Sequence, residues 1–296
     1  MSFKVFIYYC ALCGGWAALA AWAVAFIAGF TRDEVSTYAS TTLIAGMLGL
    51  LLAAIIGLLD ALLNSVGSER ILRMLVALVV GLVGGLLGGV TGELLHQEAH
   101  APRFFGWMLV GLAIGASIGV YDLFRALASG QAARQATRKV INGIIGGVLG
   151  GLVGGVLFEW LVGALDLPRS SLAIGLVVVG LCIGFLIGLA QVILKEAWLR
   201  VESGFRPGRE LIVSKAETTI GRSETCDVGL FGDPSIEKVH ARVVLQGNGY
   251  LLADSGGQGG TYLNDQRIAR PAALRSGDRI RIGNSVLRFG ERQKRK

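Results

Sequence analysis

Apolar positions run through the first two thirds of the chain in long unbroken blocks, and through the last third in short alternating runs. Read between charged residues, the blocks are Val5–Thr31, Val35–Leu59, Met74–Gly92, Phe104–Tyr121, Val140–Phe158 and Ser170–Leu194. A helix needs about 20 apolar residues to cross the hydrocarbon core of a bilayer with every backbone amide bonded internally, so the pattern predicts six spanning helices. Pro102 and Pro168 fall between blocks, where proline starts a helix without breaking one. The first block follows Lys4 and contains Ala18, Ala20 and Ala23, as a signal peptide does, but its apolar run is too long for one, and a retained helix is expected.

Composition agrees. Of 296 residues 53% are apolar and 17% charged, with a mean hydropathy of +0.60, which excludes a purely cytosolic globular enzyme. Residues 1–200 hold 22 of the 49 charged side chains and 30 of the 44 glycines. The net charge of +7 reflects basic residues placed by membrane topology and gives no reason to expect nucleic acid. With the N-terminus inside, Lys4, Arg70, Arg73, Arg125, Arg134, Arg138, Lys139, Lys195 and Arg200 flank the inner side, against Arg32, Arg103 and Arg169 outside. Nine against three places both termini in the cytoplasm, in an integral protein expected in a bacterial inner (plasma) membrane. Cys10, Cys13 and Cys182 lie in apolar runs and Cys226 stands apart, so no disulfide framework is expected.

The helical region repeats. GLVGGLLGGVTGE, from Gly81, matches GVLGGLVGGVLFE, from Gly147, and GLAIGASIG from Gly111 matches GLCIGFLIG from Gly180. The second block echoes the fourth, with Gly49, Ala53, Gly57 and Asp60 answering Gly111, Gly115, Gly119 and Asp122. Three helical hairpins from one ancestor are inferred, the first the most diverged. Glycine every fourth residue, as at Gly81, Gly85 and Gly89, at Gly147, Gly151 and Gly155, and at Gly115 and Gly184, lies on one face and lets a neighbouring backbone approach. That predicts a tightly packed bundle or a homo-oligomer, with the lipid bilayer as its surroundings. Glu93 and Glu159 read as the ends of the third and fifth helices, and Asp60 and Asp122 as the inner ends of the second and fourth. No charge at mid-span favours an ion-coupled carrier. Glu93, His96 and His100 have ligand types at helical spacing, but the helix is ending there, and neither metal nor cofactor is expected.

After Arg200 the runs shorten. Candidate strands are Leu211–Val213, Thr218–Ile220, Val228–Leu230, Val239–Leu245, Tyr250–Ala253, Thr261–Leu263, Arg279–Ile282 and Val286–Phe289, which together predict a β-sandwich. TTIGRSETCDVGL, SIEKVHARV, GYLLADSGGQGGTYLN and LRSGDRIRIG, in this order and spacing, resemble a forkhead-associated (FHA) domain. The resemblance implies a β-sandwich that recognises phosphothreonine peptides with loops at one end, and no enzymatic activity. It assigns Arg222 and Lys238 to the phosphate, Gly260, Thr261 and Asn264 to the neighbouring peptide-binding loop, and His240 to loop ordering. Two positions depart from the family pattern: Glu237 stands for a serine that donates to phosphate, and Gly259 for an asparagine. A carboxylate repels phosphate, so phosphothreonine dependence is left open.

The sequence thus predicts an α-helical polytopic membrane bundle (residues 1–200), a linker (201–210), an all-β FHA-type sandwich (211–290) and a basic tail (291–296). Its expected function is a membrane-anchored adaptor that presents a binding module to a cytosolic protein or phosphothreonine peptide. The alternative is a small-solute channel or carrier that the same module regulates.

Overall fold

The structure, a computed structural model, describes residues 3–32, 35–64, 69–128, 133–165, 172–213, 217–247 and 249–292. Pro168, Arg169 and positions 293–296 of the basic tail lie outside the described residues. The chain divides into a helical unit, Lys4–Ala61 with Arg70–Leu194, and a second unit that contains Lys195–Lys296.

The helical unit holds α1 (Phe3–Ile27), α2 (Thr37–Asn64), α3 (Glu69–Ala99), α4 (Phe104–Ala128), α5 (Arg134–Leu165) and α6 (Ala173–Ile193). All six are long and apolar enough to cross a membrane. Several overrun the apolar blocks, because Glu, Lys and Arg end an apolar run without ending a helix; their helix propensity is good. Glu93 therefore sits inside α3 and Glu159 inside α5, and neither ends its helix. His100 leaves the helix with φ 53°, so Glu93, His96 and His100 share no helical face. His96 Nδ1 lies 2.9 Å from the Ala101 carbonyl oxygen.

Three helix crossings repeat one device. Gly49 of α2 faces Gly81 of α3, Gly111 of α4 faces Gly147 of α5, and Gly180 of α6 faces Gly14 of α1. In each pair the two glycines are reciprocal: a Cβ on either would overlap the other's carbonyl oxygen. The packed pairs are thus α2–α3, α4–α5 and α6–α1, with the last closing the repeat through the chain's first helix. Gly85, Gly89, Gly115, Gly151, Gly155 and Gly184 make further close approaches along the same seams.

The even helices carry the interior. One residue before and three and seven residues after the crossing glycine stand Leu48, Leu52 and Ile56 on α2, Val110, Ile114 and Ile118 on α4, and Val179, Ile183 and Ile187 on α6, all buried in a single cluster. The odd helices expose apolar rows at helical spacing, Leu75, Val79, Val83 and Leu87 on α3 and Ile141, Ile145, Leu149 and Val153 on α5. Large exposed apolar area of this kind does not suit water.

One end of the unit is polar inside. Lys139 Nζ donates to Asp60 Oδ2 at 2.6 Å and to Asp122 Oδ2 at 3.0 Å. The Arg73 guanidinium grips Asp122 at 2.5 and 3.3 Å and lies over the Tyr121 ring at 5.3 Å. Asp60, Arg73 and Lys139 are 7%, 6% and 7% exposed. Gln191, at the same distance past Gly180 as Asp60 is past Gly49, donates to the Lys139 carbonyl oxygen at 3.0 Å.

The second unit is a β-sandwich. One sheet has the order β2 (Glu210–Ile212), β1 (Ala197–Ser203), β11 (Ser285–Glu291), β10 (Arg279–Ile282), β7 (Thr261–Leu263), β8 (Gln266–Arg267). The other has β4 (Val228–Gly229), β3 (Glu217–Gly221), β5 (Ala241–Gln246), β6 (Gly249–Asp254), β9 (Ala272–Leu274). Alternating side chains such as Ile280, Ile282, Leu287, Phe289, Val243 and Leu252 fill the core between them. Strand β1 occupies the stretch read as helix end and linker. Its Ala197, Leu199 and Val201 point inward and it pairs antiparallel with β11, which takes the place of a flexible connection.

The glycine seams give opposite expectations for one chemical change. Gly147→Ala drives a methyl into the Gly111 carbonyl and should destabilise the helical unit by about 1–3 kcal/mol. Gly163→Ala, also on α5 but with nothing within 4 Å of the new methyl, should stabilise it by up to about 1 kcal/mol through helix propensity. Thermal unfolding of the full chain in detergent, followed by circular dichroism, reads both signs.

Candidate functional site

Three loops meet around His240, which is fully buried. Its own amide donates to the Ile220 carbonyl at 2.8 Å, and its carbonyl accepts from Ser255 N at 2.9 Å. The Glu237 N–H donates to its Nδ1 at 3.1 Å. Nδ1 therefore carries a lone pair, and Nε2 carries the proton that it donates to the Gly260 carbonyl at 3.2 Å. One neutral imidazole thus joins residues 237–240 to residues 255–260. A Cβ on Gly257 would press on the ring, which accounts for a glycine there.

The loop after β3 joins the same surface. Arg222 N donates to the Glu237 carbonyl at 2.9 Å and Ser223 N to the Lys238 carbonyl at 3.1 Å. Gly221 is required because a side chain would meet the Lys238 carbonyl. The Arg222 and Lys238 side chains are exposed, and among the described residues neither makes a hydrogen bond or ion pair. Beside Arg222 stand two hydroxyls that the sequence reading passed over: Ser223 Oγ and Thr225 Oγ1 lie 2.8 Å apart, and Ser223 Oγ accepts from Thr225 N at 3.2 Å. Serine and threonine are common in turns, so nothing in the sequence marked them.

Glu237 is half-buried, with its Cγ toward Gly257. A side chain at Gly259 would begin 3.1 Å from the Ser235 carbonyl oxygen, so an asparagine there needs a shift of a few tenths of an ångström. Gly260 takes φ +64°, with the Arg267 guanidinium packed over it. The Thr261 hydroxyl is buried and donates to Asp254 Oδ1 at 2.7 Å. These contacts bring Arg222, Glu237, Lys238, His240, Gly259, Gly260 and Thr261 together.

Asn264 stands apart, past the far end of β7. With Asp265 it forms the two-residue β7–β8 turn, both at positive φ. Its amide donates to Asp278 Oδ1 at 2.9 Å and accepts from Arg279 N at 2.9 Å. The side chain is committed to the sandwich. Asp233 pins another loop, accepting from Ser235 Oγ at 2.6 Å, Ser235 N at 3.0 Å and Asn284 N at 2.8 Å. These bonds, the Ser235 hydroxyl foremost, hold its carboxyl below the usual carboxylate range. Beneath Lys238, Cys226 Sγ donates to the Lys238 carbonyl at 3.0 Å. Burial pushes that thiol up from its ordinary value, which keeps the donated proton in place at neutral pH.

The protein-family model for the FHA domain matches residues 218–283. These residues form an FHA domain. Over 94 residues the chain is 32% identical to the glycogen accumulation regulator GarA of Mycobacterium tuberculosis, a match that covers 32% of this chain and 57% of GarA. It is 27% identical over 104 residues to the FHA domain-containing protein FhaB of the same organism, covering 35% and 66%. The chain thus spans little more than half the length of GarA. A solved structure from work on phosphothreonine-dependent FHA domain interactions is 25% identical, with TM-score 0.31, covering 34% of this chain and all of that one. All three matches cover about a third of the chain, the share that the FHA domain and its flanking strands occupy.

Two measurements check the loop chemistry. His240→Ala removes the acceptor of the Glu237 amide, at a cost of about 1–3 kcal/mol. Hydrogen exchange of the full chain should then speed up at least about tenfold at residues 237–240 and 255–260. The raised Cys226 pKa means that thiolate, and so alkylation by iodoacetamide, should appear only above the pH at which an ordinary thiol, with pKa about 8.5, reacts. Peptide mapping should find Cys226 unmodified at pH 8 in the folded protein and modified after unfolding.

Proposed function

We propose that the protein is a membrane-anchored adaptor whose FHA domain, on the cytoplasmic side, docks phosphothreonine-bearing partner proteins. The observation that carries this reading is the pair of exposed cations, Arg222 and Lys238, on a loop surface whose backbone is fixed by His240. A guanidinium and an ammonium with no protein partner are preorganised for a doubly charged phosphate. Ser223 and Thr225 supply hydroxyl donors next to Arg222 where Glu237 supplies none. Glu237 weakens the site by repulsion and makes it selective: a singly charged or neutral peptide gains too little from the two cations to offset it.

Six apolar helices with outward-facing apolar rows support the anchor. The three layers of buried Leu, Ile and Val between α2, α4 and α6 support anchorage over conduction, since among the described residues they fill the space where a water path would run. A scaffold of this kind holds the domain beside the bilayer and raises the local concentration of any partner that is also membrane-bound.

Binding of a phosphothreonine peptide and its unphosphorylated twin to the full chain in nanodiscs tests the reading. The phosphopeptide should bind at least about tenfold tighter, and Arg222→Ala should remove that difference. Glu237→Ser with Gly259→Asn should raise phosphopeptide affinity by about tenfold, the equivalent of about 1.4 kcal/mol. Equal binding of both peptides by the unaltered chain is the result that sinks the phosphate assignment.

A further inference from the structure

At the end of the helical unit opposite Asp60 lies a cavity of about 280 Å3 between α2, α3, α4, α5 and α6. One wall is aromatic and apolar, with Trp107 and Phe158 packed 5.5 Å apart. Ser40 and Thr41 bring hydroxyls from the first turns of α2, and exposed Arg103 stands among the lining residues. Glu93 also lines it, although it is only 2% exposed. One carboxylate oxygen of Glu93 accepts from Gln97 Nε2 at 2.8 Å. Among the described residues the other has no partner.

The internal repeat shows what that oxygen would do if it were structural. Glu159 is the twin of Glu93, equally far along α5 from Gly147 as Glu93 is along α3 from Gly81. Glu159 Oε1 accepts from Phe104 N at 2.9 Å and so caps the N-terminus of α4. The corresponding residue of α2 is Thr42, but α2 begins five residues earlier, at Thr37, and at that depth a helix bonds its own amides. The cap that occupies Glu159 does not exist for Glu93. A carboxylate so deeply buried requires a cationic partner or hydrogen-bond donors.

We propose that this cavity binds the zwitterionic end of a small amphiphile, with its ammonium on Glu93, its anionic group on Arg103 and the Ser40 and Thr41 hydroxyls, and its apolar part against Trp107 and Phe158. The volume lies at the lower limit of ligand pockets, roughly 300–1,000 Å3, which fits a headgroup or an amino acid and not an acyl chain. A primary ammonium beside an anionic group is shared by free α-amino acids and by the phosphatidylethanolamine headgroup. An N–H donor is essential, because the free oxygen of Glu93 accepts a hydrogen bond at short range.

The test uses the full chain. In detergent, calorimetric titration with L-phenylalanine is compared with 2-phenylethylamine, which lacks the carboxylate, and 3-phenylpropionate, which lacks the amine. In nanodiscs of equal phosphatidylethanolamine and phosphatidylcholine, native mass spectrometry reads which lipid is retained. Saturable L-phenylalanine binding at least tenfold tighter than either fragment, and at least tenfold weakened by Glu93→Gln, assigns a free amino acid. Retention of phosphatidylethanolamine over phosphatidylcholine, lost in Glu93→Gln, assigns the headgroup. Val162→Trp fills the cavity from α5 while keeping every charge, and should abolish either signal even if Glu93→Gln fails to fold. Absence of both signals in the unaltered chain, or their persistence in Val162→Trp, overturns the proposal.

Discussion

Reciprocal contacts between glycine and a facing carbonyl govern the helical unit. When Gly49 and Gly81, Gly111 and Gly147, and Gly180 and Gly14 each oppose the other's carbonyl oxygen, two helix axes come as close as backbones allow. That separation leaves no room for side chains at the seam, so the large residues go elsewhere. On α2, α4 and α6 rows of Leu, Ile and Val turn inward to form the buried layers; on α3 and α5 rows of Leu, Val and Ile turn outward. Dispersion and close packing drive such association where the surroundings are themselves apolar. One constraint therefore fixes which helices are internal, which are peripheral, and where the interior is filled.

The same repeat explains the buried charges. Asp60 and Asp122 stand eleven residues past their crossing glycines, and Arg73 and Lys139 stand eight before theirs, so the packed pairs α2–α3 and α4–α5 bring two acids and two bases to one depth. The four are mutually bonded, which offsets the desolvation that isolated charges would suffer. In the third pair the equivalent positions are Gln191 and Phe6, both buried. That pair needs no counter-charge, and Gln191 spends its amide on the Lys139 backbone.

Much of this was legible in the sequence, because apolar block length, glycine spacing and internal repetition each report one physical requirement directly. The helix ends were less so. Charged residues at Arg73, Glu93, Lys139 and Glu159 looked like boundaries and are helical, since a hydropathy break and a helix break are different events. Arg73 and Lys139, both counted toward an inner side, are internal ion-pair partners, which no single-position reading distinguishes from loop charges. In the FHA domain the four motifs carried the fold, and His240 is fully buried between residues 237–240 and 255–260. Strand β1 was hidden by the abrupt change from helical to strand periodicity within a few residues of Leu194. The commitment of Asn264 to Asp278 and Arg279 depends on contacts fourteen and fifteen residues away in sequence, beyond what motif spacing can reveal.

The repeat also shows where a residue has no structural duty. Glu93 and Glu159 hold the same position in the repeat, and Phe26 holds that place on α1. On α5 the carboxylate serves a helix that starts late, at Phe104; on α3 it faces a helix that starts early, at Thr37, and finds no amide to cap. On α1 the charge is gone altogether. A buried carboxylate with no structural task costs stability, and replacing it with an apolar residue, as Phe26 illustrates, removes that cost. Its presence on α3, beside a cavity with an arginine and two hydroxyls, is explained by what enters the cavity and not by what holds the helices together.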